Sequence, residues 1–346
     1  MITVEYNEDC VNVEKFFSPR FASEYGWQAF PSLKSLKKVS IKGDLEFDSK
    51  FVKHRQHHKD GNSQLWNQIK RQFRDPKGNN KEQEFIDFAY LSQCVQSLCI
   101  KSQTEHYRRG SGTKAHTMGA LYWQFNDIWQ APTWSSIEYS GEWKMLHYQA
   151  RHFFNQFLIT AYTQSNMVYV YLTNDLPVEI KNIDIQLNLY DFKEGKLQWS
   201  IQLKDVSIGK ITSKEMFKMT KEEFLRNSYC QHLKNCFLKM IAKSGEKYSS
   251  ENVHYLEKLR FSTLEDVEFK ISNIEQVNEK TIKFEIISSN VAPYVFIQSS
   301  LFGRFSDNGF LMLKGEKRII HFYGWSKIKN FENSLTVKSM NPKIIN

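Results

Sequence analysis

Two short segments carry residue types that could do covalent chemistry on a flat, hydroxyl-bearing ligand. In Arg20-Phe21-Ala22-Ser23-Glu24-Tyr25-Gly26-Trp27, Glu24 closes a short apolar run and is followed by glycine and aromatics. A carboxylate that attacks a sugar must stay ionised, be held rigidly and face a partly dry pocket. Arg20, on the same predicted strand, is expected to keep it charged, because a nearby cation lowers a carboxylate's pKa. The pattern also reads as a strand-end glutamate in a plain salt bridge. The second segment, Gly119 to Trp134, contains Trp123, Trp129 and Trp134. Aromatic faces stack on the C–H faces of sugars, although a strand core packed with Trp would look the same.

Positioning these residues takes a scaffold of two kinds. Up to residue 156, short apolar strands alternate with helices. Val4–Tyr6 reads as a strand tail, 20–23 as a strand ending at Glu24, and 118–125 as a strand buried on both faces. From 81 to 107, Phe85, Phe88, Ala89, Leu91, Val95, Leu98 and Cys99 recur at helical spacing, and 143–154 reads as a closing helix. This α/β alternation, with Glu24 and Trp123 at strand C-terminal ends, suits the last part of a (β/α)8 TIM barrel. After residue 156 the period becomes two, in 167–172, 183–189 and 281–287. Two β-sandwich modules are expected at 157–260 and 261–346. A charged helical stretch over 213–244 is expected to interrupt them, and Asn308-Gly309 to turn a hairpin.

Composition narrows the partners. The net charge is +9, but Lys and Arg are spread along the chain without a basic helix or zinc-finger spacing, so no nucleic-acid role is expected. No apolar run reaches membrane length, so no membrane partner is expected. The start lacks the features of a signal peptide. His54, His57 and His58 have a metal-compatible spacing, but the glutamate of a zinc hydrolase is missing beside them, and no metal is expected. Cys230 and Cys236 are close enough to staple a loop.

The segments Ser23-Glu24-Tyr25-Gly26, Gly119-Ala120-Leu121-Tyr122-Trp123-Gln124-Phe125-Asn126-Asp127-Ile128-Trp129-Gln130-Ala131-Pro132 and Trp143-Lys144-Met145-Leu146-His147-Tyr148 together resemble β-mannosidases of glycoside hydrolase family two. Residues 54–58 and 303–312 resemble the animal lysosomal subgroup. The resemblance implies retaining exo-hydrolysis of terminal β-mannose from oligosaccharides and glycoprotein glycans, without a cofactor, in the lysosome. It also implies that the two sandwiches are immunoglobulin-like. Glu24 matches the nucleophile, Trp123 the aromatic floor of the mannose subsite, and Tyr6 the tyrosine that hydrogen-bonds the nucleophile.

Retaining chemistry needs a second carboxyl group about 5–5.5 Å away. In the family it belongs to an Asn-Glu pair on barrel strand four, three β/α units of roughly 30 residues each before the nucleophile. Asn7-Glu8 lies 16 residues before Glu24, and Asn278-Glu279 lies in a predicted sandwich. The acid/base is therefore expected to be absent from the chain, leaving it inactive alone. Either it is a piece of the enzyme or a non-catalytic sugar-binding protein.

Overall fold

The computed structural model describes residues 6–341. Strands β1 (Ala22–Tyr25) and β2 (Ala120–Tyr122) pair in parallel. Parallel neighbours need a long crossover. Here it contains α1 (Leu33–Lys37), α2 (Lys50–Arg55), α3 (Gly61–Gln72) and α4 (Lys81–Arg109). Most of the predicted tail strand, 4–6, lies outside the described residues. The strand expected over 118–125 is only three residues long, because the chain turns away after Tyr122.

Helix α4 is the mast of this part. Asn80 caps it by accepting from the Gln83 N–H, Glu82 and Glu84 occupy the first turn, and His106, Arg108 and Arg109 the last. That charge order complements the helix dipole. Phe85, Phe88, Leu91, Cys94 and Val95 are buried, and α5 (Met145–Phe153) packs alongside. A disulfide, Cys10–Cys99, ties the N-terminal segment to α4.

Two antiparallel sandwiches follow. In the first, β3 (Phe157–Gln164), β4 (Met167–Asn174) and β7 (Thr212–Thr220) face a sheet ordered β6-β5-β8-β9. The latter comprises β5 (Ile180–Asp191), β6 (Leu197–Ile208), β8 (Cys236–Ser244) and β9 (Tyr248–Tyr255). Ile183, Ile185, Leu187 and Leu189 alternate into its core. The charged segment 213–244 is mainly strand, contrary to the helical expectation. A Thr220–Glu223 capping box starts only the short α6 (Lys221–Asn227), and Cys236, Leu238, Met240 and Ala242 bury alternate positions of β8. Cys230 and Cys236 are bridged.

The second sandwich has β10 (Phe269–Asn278), β11 (Thr281–Ser288), β15 (Lys317–Gly324) and β13 (Gly303–Phe305) in one sheet. The other holds β14 (Phe310–Met312), β12 (Ala292–Ser299) and β16 (Leu335–Lys338). Asn308-Gly309 makes no hairpin, because β13 and β14 belong to different sheets. The Asn308 side chain instead bonds both the N–H and the C=O of Ile297 at 2.7 Å, steering the chain across the sandwich.

Candidate active site

Glu24 is placed by a local irregularity. Ala22 lies opposite Ala120 and Tyr25 opposite Tyr122, so β1 uses one more residue than β2 over the same span. A bulge of this kind re-aims a side chain. Tyr25 is buried on α4, where its hydroxyl lies 2.7 Å from that of Thr104 and its ring meets Tyr107 edge-on. Glu24, its neighbour, is only half-buried. The Trp123 N–H donates to the Tyr25 carbonyl at 2.7 Å, which brings the two predicted residues together on adjacent strand ends.

Gly26 permits that approach. A Cβ there would lie 2.3 Å from the Trp123 carbonyl oxygen and 2.9 Å from Trp134 Cδ1. Buried amides on α4 fix the backbone beyond it: Gln93 donates to Phe30, and Gln96 donates to both Trp27 and Ser135. Gln93 also accepts from the Met145 N–H at the start of α5. None of these glutamines was singled out from sequence, where α4 showed only its apolar repeat.

No hydrogen bond or ion pair among the described residues engages the Glu24 carboxylate. Arg20 does not take the expected place beside it. It precedes β1, its side chain is exposed, and only its backbone is held, by the Met118 N–H. Trp123 is 45% exposed, and the peptide joining it to Gln124 is cis. Phe21, Leu121 and Phe125, in or next to the same two strands, are also exposed.

Tyr6 is placed differently from the expectation. Its hydroxyl accepts from Trp134 Nε1 at 2.6 Å, its ring lies against Trp27 and His58, and no hydrogen bond joins it to Glu24. Burial raises its pKa. Trp134 also meets His58, while Trp129 meets His57 and Arg55. The result is an aromatic wall assembled from distant sequence. Its sequence signals were the recurrence of Trp and the histidine cluster at 54–58, although spacing alone did not place His58 against Trp134. Among the described residues, no group of three or more histidine, cysteine or carboxylate side chains could hold a metal.

Three polar residues after Trp123 structure the loop. Asp127 accepts from Thr133 and Ser135 and faces Lys144 at 3.4 Å, both side chains being fully buried. Asn126 donates to the Asp127 carbonyl. Glu138 accepts from the N–H and hydroxyl of Ser32 and the hydroxyl of Ser35. Burial raises its pKa despite those bonds.

Comparison with known proteins finds relatives in both sequence and fold. Residues 166–260 fit the family model described as a mannosidase Ig/CBM-like domain, and 264–342 one described as an Ig-fold domain. A β-mannosidase of Mus musculus is 37% identical over 334 residues, covering 94% of this chain. A probable β-mannosidase of Caenorhabditis elegans is 30% identical, covering 91%.

The chain belongs to the β-mannosidase family.

It spans 38% of the length of each of those two relatives. The solved β-D-mannosidase of Dictyoglomus thermophilum superposes with a TM-score of 0.76 at 21% identity, over 99% of this chain and 39% of that one. An exo-chitosanase of Amycolatopsis orientalis gives 0.66 at 17% identity, over 93% of this chain and 42% of that one. The family's shared fold thus includes the helical part as well as the sandwiches. No helix among the described residues is long and apolar enough to cross a membrane.

Proposed function

We propose that this chain supplies the nucleophile of a retaining β-mannosidase that removes terminal β-mannose from oligosaccharides and glycoprotein glycans in the lysosome. In this reading residues 1–156 form the last part of a TIM barrel, with immunoglobulin-like sandwiches at 157–260 and 261–346. The observation that carries it is the Trp123–Tyr25 backbone bond, which sets an unpaired carboxylate and a half-exposed Trp on adjacent parallel strand ends. Glu24 attacks the anomeric carbon as a second carboxyl group protonates the leaving oxygen. Water then releases mannose, with that second group acting as base. Trp123 forms the subsite floor, and Tyr6 acts through the aromatic wall.

The second carboxyl group comes from neither Asn-Glu pair in the chain. Glu8 is drawn toward Lys15 at 3.6 Å, and Glu279 is paired with Lys327 in the second sandwich. A mannosyl donor with a fluoride leaving group needs little acid assistance, so it tests the nucleophile separately. A 2-fluoro-mannosyl fluoride is expected to label the Glu24 peptide of the chain, with Glu24→Gln unlabelled. Label on another carboxylate would overturn the assignment. The missing partner also favours a second reading, a sugar-binding chain without turnover. Saturable mannose binding with no covalent label supports that one.

A further inference from the structure

The C-terminal end of α4 meets the first sandwich at Arg109, whose carbonyl accepts from the Ser213 hydroxyl. Its side chain is 6% exposed, its Nη1 is buried without a hydrogen-bond partner, and no carboxylate pairs with it among the described residues. The Tyr162 ring lies 4.5 Å from the guanidinium carbon. Burial lowers its pKa, and the charge of Glu105 opposes that only in part. A buried guanidinium carries five donors and stays charged, so leaving it unpaired is costly.

Two cavities flank this group. The larger, about 790 Å³, is lined by four further cations, Lys101, Lys221, Lys258 and Arg318. Each is already paired with a carboxylate. The smaller, about 130 Å³, has Arg109, Ser18, His106, Gln164 and Tyr171 in its wall and no carboxylate. At roughly 30 Å³ per water, it holds one small oxyanion with a few waters. Gln164 is the exposed polar residue of this wall with an amide side chain. The Thr113 and Thr117 hydroxyl protons are engaged by the Gly110 and Pro19 carbonyls. Arg109 Nη1 is unpartnered and no hydrogen bond among the described residues engages the Gln164 side chain, so these two are available as donors.

We propose that the smaller cavity is an oxyanion-binding site, with Arg109 as its cation and Gln164 as a second donor, for a sulfate, phosphate or carboxylate group. The site shares no lining residue with the Glu24 surface and does not depend on the mannosidase reading. Its occupant is either a free inorganic ion or the anionic end of a larger molecule such as an acidic sugar.

The test titrates the 346-residue chain with sodium sulfate, sodium phosphate, acetate and a sugar acid, each against sodium chloride at matched ionic strength. The readouts are calorimetry and thermal unfolding. Saturable binding is expected, weakened at least tenfold in Arg109→Met and about threefold in Gln164→Leu, and largely kept in Arg109→Lys. Tighter binding of the sugar acid than of acetate assigns the larger ligand, and the reverse assigns the free ion. Should Arg109→Met fail to fold, selenate in wild-type crystals supplies the second measurement, with an anomalous peak beside Arg109 expected. Responses equal to chloride, binding unchanged in Gln164→Leu, or selenate lodged elsewhere would overturn the proposal.

Discussion

The Lys144–Asp127 pair offers the sharpest check on how the Trp-bearing loop is held. Both side chains are fully buried. Asp127 Oδ1 is satisfied by the hydroxyls of Thr133 and Ser135, but Oδ2 accepts no hydrogen bond and is compensated by the ammonium at 3.4 Å. The ammonium otherwise has the Ala29 carbonyl and the Thr133 hydroxyl, each at 3.4 Å. Replacing Lys144 by Met keeps most of the volume and strands a buried carboxylate. Such truncations cost about 3–5 kcal/mol, whereas replacing both charges by neutral groups costs far less. Lys144→Met is therefore expected to lower the first guanidinium transition by about that amount, followed by Trp fluorescence. The Lys144→Met/Asp127→Asn double variant should recover at least half of the loss. A single variant within about 1 kcal/mol of wild type, or single effects that simply add in the double, would refute this account of the loop.

Three further outcomes follow from the geometry. Gly26→Ala must push the Trp123 carbonyl or the Trp134 ring aside, so a loss of roughly 1–3 kcal/mol is expected, with weaker mannose quenching of Trp fluorescence. His254 is pushed down to about 3 by burial and by Lys101, Arg109 and Lys221. His147 is pushed to about 4 by burial with Arg151 and Arg304, and His106 to about 4 by burial with Arg109. In each case the unfolded chain takes up a proton, near pH 6.5, that the folded chain refuses. Their contribution to stability is full above that pH and is lost as pH falls toward 4 and 3. Denaturant midpoints should drop across that window and drop less in His254→Gln; a flat profile contradicts the assignment. Removing Cys10–Cys99, which closes 89 residues, should cost about 4–5 kcal/mol on a chain-entropy basis, against about 2 for the six-residue Cys230–Cys236 loop. Thermal melts of the two double-serine variants compare them.

The apolar repeats were legible where burial follows a period. The 81–107 helix extends only to Arg109, and the strands at 167, 183 and 281 lie within β4, β5 and β11. Misreadings arose where a polar device overrides the period. Thr220 and Glu223 signal a helix start that runs seven residues before strand resumes. Asn308 spends its amide on Ile297 and moves the chain between sheets, which a turn dipeptide does not reveal. At the site, Glu24 and Trp123 could be picked out by local pattern. The Tyr6–Trp134 bond could not, because it joins residues 128 positions apart. Gln93 and Gln96 were equally silent, since a glutamine on a helix reads as solvent-facing until its carbonyl partners are known.

The two sandwiches relate to the site unequally. The first carries its own core of Ile, Leu and Val. Arg108 pins it by pairing with Asp175 and donating to the Phe153 and Asn155 carbonyls. The second is continuous with the core of α4 and α5. Tyr90 donates to the Tyr294 carbonyl, and the Phe305 N–H donates to Tyr148. Lys34, in the helix that follows the Glu24 strand, bonds the Ser299 and Leu301 carbonyls and pairs with Glu142. Glu142 stands beside Ser140, whose hydroxyl lies 3.0 Å from that of Ser35, and Ser35 in turn holds Glu138. This chain of polar contacts runs from the second sandwich to the backbone just beyond Glu24. Damage to the 299–302 turn should therefore loosen the candidate site, whereas equal damage to an outer strand of the first sandwich, such as β6, should leave it in place.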